Sequence, residues 1–449
     1  MSTKFKLDSK FIEDLENLIE QKDSKTIAKK LQEIHHADIA DIIEQLSEIN
    51  AQFILDIIEN PKSADIIIEL DDDVRESVLS AFTAKKIAEE LIENLESDDA
   101  ADVISELPQD KKNRVLSHIE DKDQADNISD LLTYSQNSAG SLMAKELVKV
   151  NENWTTLRCL KEMRKQAEKI KKIHTIYVVN DHNQLLGLLS LKRLLVAEKS
   201  TTIKKIINKK IISVNTNENN EEVANIMNKY DLIVIPVINK NNVLLGRITI
   251  DDILDLVKEE AEKDYQMASG ISEDIEANDN IWNITRARLP WLLIGLFGGI
   301  LGAKIIGVFD LESNFELAFF IPLIAAMGGN VGVQSAAIVV QGLANNNFGS
   351  NNITAKLIKE LGVAIFNGLI CSLIILLTTL LIGYNIKISL TVSISLLSVI
   401  IFAALFGTFI PMILERYNID PALATGPFVT TINDILGLII YFTIGQAIL

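Results

Sequence analysis

The sequence predicts a multidomain protein: an all-α superhelical N-terminal domain, a duplicated α/β unit, and an α-helical transmembrane domain with five spans per subunit. Three observations carry this. Charge is divided, because residues 281–449 hold seven acids and seven bases, which leaves the whole formal net charge of −18 on residues 1–280. Five apolar stretches in the neutral part are long enough to cross ~30 Å of hydrocarbon at ~1.5 Å per residue. And IYVVNDHNQLLGLLSLKRLL (176–195) returns 59 residues later as IPVINKNNVLLGRITIDDIL (235–254), with eight identities. The expected boundaries are 1–135, 136–256, 257–284 for a connecting helix, and 285–449.

Residues 1–135 have helical periodicity broken by short polar turns, and ADIADIIEQL (37–46) is echoed by DDAADVISEL (98–107). Stacked short helices of this kind bury a shared core that no single pair could bury. His35 and His36 invite a metal reading, but a cap before the helix that starts near Ala37 accounts for them. The start of the chain, MSTKFKLDSKFIEDLENL, has no apolar run of signal-peptide type, so the acidic part is expected in the cytosol. Its acidity disfavours nucleic acid and anionic lipid as partners and favours cations. The two cysteines, Cys159 and Cys371, suggest neither a disulfide nor a thiolate metal site.

Each copy of the repeat reads as strand, Asn-rich turn, strand and helix start. Upstream, LVKVNENWTTLRCLKEM (147–163) parallels IISVNTNENNEEVANIM (211–227), adding a strand and a helix to each. This order resembles a pair of CBS domains. Such pairs often bind adenine nucleotides, so ATP enters as an expected ligand, although the segment contains no Gly-rich phosphate loop.

The spans are read at about 289–308, 317–344, 361–384, 388–414 and 421–449. Arg286, Arg288, Lys356, Lys359 and Arg416 fall in alternate connections, opposite Asp310, Glu312 and Glu316. The positive-inside rule then places the N-terminus in the cytoplasm and the C-terminus outside. The second span carries MGGNVGVQS, whose Gly328, Gly329 and Gly332 allow close helix approach and whose Asn330, Gln334 and Ser335 are polar at membrane depth. In the fifth, GPFVTTINDILGLIIYF contains Asp434, with Thr430 one turn earlier on the same face. A carboxylate at the bilayer centre costs ~2.5–3.5 kcal/mol even on insertion scales, so Asp434 reads as a functional group. It is the one acid counted in the core of the spans, too few for a proton relay, and a cation site fits better. Carboxylate, carboxamide, hydroxyl and carbonyl oxygens suit a hard ion. One Asp per chain, doubled by a two-fold axis, suits hydrated Mg²⁺ better than a dehydrated Ca²⁺ cage.

A carboxylate-rich strip, Asp251, Asp252, Asp255, Glu259, Glu260, Glu262 and Asp264, lies between the repeat and the first span. It reads either as a solvated helix face or as a surface that divalent ions would neutralise. No base–nucleophile pair or phosphate loop marks an enzyme. A channel for Mg²⁺, a secondary transporter or exporter of divalent cations, and a membrane-tethered sensor are the competing functions.

The order of parts, with MGGNVGVQS and DPALATGPFVTTINDILGLIIYF, resembles the MgtE family of magnesium channels along essentially the whole chain. The resemblance implies a homodimer in the cell membrane, with a pore on the two-fold axis lined by the second and fifth spans. It places hydrated Mg²⁺ at Asp434, with Asn330, Gln334 and Thr430 along the pore. It further implies regulatory Mg²⁺ that holds the pore shut from the cytosolic side. The sensor acids would be Asp231 and Glu221 in the second CBS copy, Asp252 and Asp255 at the start of the connecting or plug helix, Glu260 and Asp264 within it, and Asp98 or Asp99 with Asp102 in the helical domain. Lys263 stands where the family commonly has Glu, which would weaken one sensor site.

Overall fold

The computed structural model describes residues 7–168, 170–272, 275, 279–309, 315–344, 353–417, 419–424 and 426–449. Asp310 and Glu312, used above to orient the spans, lie outside the described residues. Two compact units are present, Met1–Val257 and Lys258–Leu449.

The first unit begins with short helices of about ten residues, among them Asn60–Glu69 and Ser97–Glu106. Their apolar faces merge into one core that includes Ile42, Ile54, Ile66, Leu79 and Ile104. A polar device recurs three residues after three of the N-caps, Glu59, Pro108 and Asp121. Lys62 Nζ donates to the carbonyls of Leu31 (2.8 Å) and Ile34 (2.6 Å), Lys111 Nζ to Leu79 (2.6 Å), and Gln124 Nε2 to Ile92 (2.9 Å). Each fills carbonyls left orphaned at the end of an earlier helix. His35 is a cap, as expected: Ala37 N–H donates to its Nδ1 at 3.3 Å.

The duplication folds into two three-stranded sheets. Strands β1 (Val148–Asn151), β2 (Ile176–Val179) and β3 (Leu185–Leu189) form the first, and β4 (Val214–Asn215), β5 (Val234–Ile238) and β6 (Leu244–Thr249) the second. In both, the outer pair is parallel and the hairpin antiparallel. The 59-residue offset holds in detail: the register slips after Val178 and after Val237, and the left-handed turn residues are Asn183 (φ 57°) and Asn242 (φ 60°). The two hairpins pair through these turns, Leu185 N–H with Asn242 O at 2.9 Å and Leu244 N–H with Asn183 O at 3.0 Å. The repeat therefore becomes a local pseudo-two-fold.

A helix, Ile250–Ala268, leaves β6 and carries the acidic strip. It stops at Ala268, short of the expected 284, with Gly270 at φ 81°.

Among the described residues, five helices have the length and apolarity to cross a membrane. They are Ile281–Val308, Ile321–Ala344 (preceded by a 3₁₀ turn, Phe315–Phe320), Ile353–Ile382, Ile386–Arg416 and Gly426–Ile448. The fourth is the most buried and packs against the second, third and fifth. The third starts eight residues before the expected 361, because the polar stretch TAKLIKE continues the helix.

Candidate functional site

Asp434 is half-buried on the fifth membrane helix, and two neighbouring features position it. Gly329 of the second helix faces it: a Cβ there would lie 3.7 Å from Asp434 Oδ1 and 3.5 Å from Thr430 Cγ2. The adjacent Asn433 is 1% exposed and donates Nδ2 to Gly328 O at 3.4 Å. Gly332 is the notch that admits Asn433, since a Cβ at 332 would sit 1.9 Å from Nδ2. Gly407 brings the fourth helix onto the other side, a Cβ there falling 2.3 Å from Gly332 O. Three helices thus meet on glycine, and the junction fixes the register of Asp434.

Beside it lies a cavity of ≈1160 Å³ bounded by the first and fifth membrane helices and the segment after the connecting helix. Arg288, Gly298, Thr430, Thr431 and Asp434 contribute to its wall. Thr430 does turn towards this space, but its hydroxyl donates to Gly426 O (3.1 Å) and Pro427 O (3.0 Å). Asn330 and Gln334 lie on the exposed face of the second helix, outside this cavity. The end of the connecting helix closes on the start of the fifth: a Cβ on Gly426 (φ 43°) would strike Ala268 O at 2.3 Å, and one on Gly270 would strike Pro427.

A further carboxylate lies near the start of the third membrane helix, beside the second. Glu360, on the third helix, accepts from Ser335 Oγ of the second at 2.6 Å. The sequence reading began that span at 361, one residue too late to include it.

The cytosol-assigned acids divide into three groups. Asp98, Asp99 and Asp252 come together where helix Ser97–Glu106 meets the start of the connecting helix. Asp98 is 8% exposed, and its Oδ1 has no hydrogen-bond partner. Burial together with the charges of Asp99, Asp252, Glu96 and Glu146 pushes the Asp98 carboxyl well up. Asp99 rises to about 7, from burial and then Asp252. Asp252 is pushed up by burial, offset by its bonds from Thr249 N–H (3.1 Å) and Oγ1 (2.5 Å). The orphaned Asp98 Oδ1 is an oxygen donor of the kind a hard divalent cation takes, and the neighbouring acids supply a negative field rather than a closed cage.

Glu260 and Asp264 form the next group. Burial first, then Asp420 and Glu260, raises the Asp264 carboxyl, and Lys263 partly counters this. Asp420, just before the fifth helix, was legible only as part of DPALATGPFV. The remaining residues, Asp102, Glu221, Asp231 and Asp255, are exposed and outside the buried cluster, Asp231 at a left-handed φ of 52°. Among the described residues no three of His, Cys, Asp and Glu gather closely enough to cage a metal ion.

Five membrane-length helices joined to a helical domain and an α/β pair define a multi-pass membrane protein with a large polar portion. Family models match three parts: the MgtE intracellular N domain at 34–137, CBS domains at 139–200 and 203–259, and the MgtE divalent cation transporter at 321–444. "Magnesium transporter MgtE" of Bacillus subtilis (strain 168) is 35% identical over 71% of this chain and 71% of its own length. The protein of that name from Thermus thermophilus is 33% identical over 71% and 72%. Among solved structures, "the cytosolic domain of the Mg2+ channel MgtE in complex with ATP" aligns with a TM-score of 0.51 and 29% identity, over 55% of this chain and 99% of that one. "The soluble part of a magnesium transporter" aligns at 0.50 and 26%, over 56% and 98%. The chain belongs to the MgtE family.

Proposed function

We propose that the protein transports Mg²⁺ as a homodimeric, magnesium-selective channel of the cell membrane, held shut when Mg²⁺ accumulates on the side of its acidic domains. The observation that carries this is Asp434: a carboxylate inside a span, in the wall of a roomy cavity, with its helix locked by the Gly328–Gly332 notch. At about 30 Å³ per water, ≈1160 Å³ has room for an ion with its complete hydration shell. Asp434 would attract such an ion through its water, at roughly 4–5 Å. Between a carboxylate and a divalent ion that attraction is about 2 kcal/mol in bulk water and about 7 kcal/mol at an effective dielectric near 20. Holding the ion through water leaves it able to move on.

Asp98, Asp99 and Asp252 are the residues that would hold regulatory Mg²⁺, with Glu260 and Asp264 on the connecting helix and Asp231, Glu221, Asp255 and Asp102 supplementing them. Bound divalent ions supply neutralising charge there. The acids themselves repel one another when unneutralised, which opposes the docked arrangement. Closure therefore requires tighter binding in the docked state than in the open one. The abutment of Ala268–Gly270 on Gly426–Pro427 supports a mechanical route, because movement of the connecting helix bears on the helix that carries Asp434. ATP at the CBS pair is proposed by likeness to the ATP-bound cytosolic domain. The N-terminus is assigned to the cytoplasm and the C-terminus to the outside from the distribution of Arg and Lys.

The test is Asp434→Ala in proteoliposomes loaded with a Mg²⁺ indicator. Assembly should persist and Mg²⁺ influx should fall at least tenfold; normal influx would remove Asp434 from the pathway. Single-channel currents from the parent separate a channel from a secondary transporter.

A further inference from the structure

Among the described residues, three ion pairs join the N-terminal helical domain to the CBS pair, and these share the same polarity. Lys171, after the first CBS helix, reaches Asp65 on helix Asn60–Glu69 at 2.6 Å. Arg247 of β6, 3% exposed, holds Glu96 at 2.9 Å. Lys145, just before β1, holds Asp130 at 2.6 Å. In each the cation comes from the CBS side and the acid from the helical domain, across 106, 151 and 15 residues of sequence. Between the first two pairs lies the carboxylate cluster. Arg247 acts on Asp252 and Lys171 on Asp99, each favouring the ionised acid. Glu146 completes the seam by accepting from Ser97 N–H (3.2 Å) and Oγ (2.7 Å).

A seam that relied on divalent ions alone would present acids on both faces. This one has protein cations built into one face. We propose that Lys171, Arg247 and Lys145 are standing cations that dock the helical domain on the CBS pair before any divalent ion binds, so that Mg²⁺ completes a contact already partly neutralised. The inference rests on the sensing role proposed above for the carboxylate cluster. It assigns the three residues a positioning role: they hold Asp98 and Asp99 against Asp252 and lower the amount of Mg²⁺ needed to secure the docked state. Lys171 is the best probe, because its pair with Asp65 is partly exposed on both sides.

The experiment is hydrogen exchange, read by mass spectrometry, on the full-length protein in detergent, with EDTA or with saturating MgCl₂. For amides that exchange through opening of the seam, the rate follows the opening equilibrium. In EDTA, Lys171→Gln should raise exchange in helices 60–69 and 97–106 roughly two- to five-fold, the range of a partly exposed ion pair. Saturating MgCl₂ should return it to the parental rate, because added cations replace the missing ammonium. Lys171→Arg should match the parent under both conditions. Equal exchange of Lys171→Gln and parent in EDTA overturns the inference. So does an excess that MgCl₂ leaves undiminished while the parent responds to Mg²⁺, since Lys171 would then be an ordinary packing residue. A parent whose exchange ignores MgCl₂ refutes the sensing reading instead. The EDTA comparison and the arginine rescue would still decide the standing cations.

Discussion

Gly332→Ala offers a sharp test of how Asp434 is held. A Cβ at 332 would fall 1.9 Å from Asn433 Nδ2 and 2.8 Å from Val429 Cγ1, both on the fifth membrane helix. Neither neighbour can yield easily, since Asn433 is 1% exposed and Val429 fully buried. Gly332 cannot retreat either, because the fourth helix touches its carbonyl at Gly407. Overpacking of this kind costs about 1–3 kcal/mol. Displacing Asn433 also sacrifices its bond to Gly328 O, worth about 0.6 kcal/mol for polar contacts between membrane helices. Better helix propensity of alanine returns up to about 1 kcal/mol. The net is a loss of roughly 1–3 kcal/mol, with a shift of the helix that carries Asp434. Gly362→Ala is the matched control, since a Cβ there meets nothing within 4 Å and the propensity gain stands alone. Thermal scans of the detergent-solubilised protein should show Gly332→Ala melting several degrees below the parent and Gly362→Ala at or slightly above it. Mg²⁺ influx should fall only in the first. If Gly332→Ala melts and conducts like Gly362→Ala, the three-helix junction does not position Asp434.

Other consequences follow from the same geometry. Neutralising Asp252, Asp255 and Asp264 together should leave conduction intact and make open probability insensitive to Mg²⁺ on the side of the acidic domains. Patch-clamp recordings showing closure over the parental Mg²⁺ range would place the switch elsewhere. Lys62→Met should destabilise the helical domain by about 1–2 kcal/mol, because a half-buried ammonium on the carbonyls of Leu31, Gln32 and Ile34 is lost. Urea melts followed by circular dichroism would measure it, and an unchanged midpoint would contradict the capping role. Burial pushes the Cys159 thiol up to about 11, so at pH 8 only about one molecule in a thousand carries the reactive thiolate. Iodoacetamide should label Cys159 slowly in the native protein and quickly in urea, and equal rates would show that the first CBS core is open.

Much of the architecture is written in local pattern. The 59-residue repeat returned as matched sheets, with bulges after Val178 and Val237 and left-handed turns at Asn183 and Asn242, because hairpin geometry depends on residues close in sequence. The five spans were legible because hydrocarbon demands an unbroken apolar run. Asp434 stood out for the same reason: a carboxylate in such a run is conspicuous without any knowledge of its neighbours. What composition could not show is which distant residue meets which. Glu360 read as part of a polar connection, and only the extended third helix brings it to Ser335. Asn433 looked like one polar residue among several until Gly332 and Gly407 closed around it. Arg247 lies in a strand whose alternation says nothing of Glu96, 151 residues away. Periodicity reports the face a side chain occupies. The partner on that face is decided by how close helices and sheets can approach, and that depends on glycine notches and buried charge pairs formed only when the chain is folded.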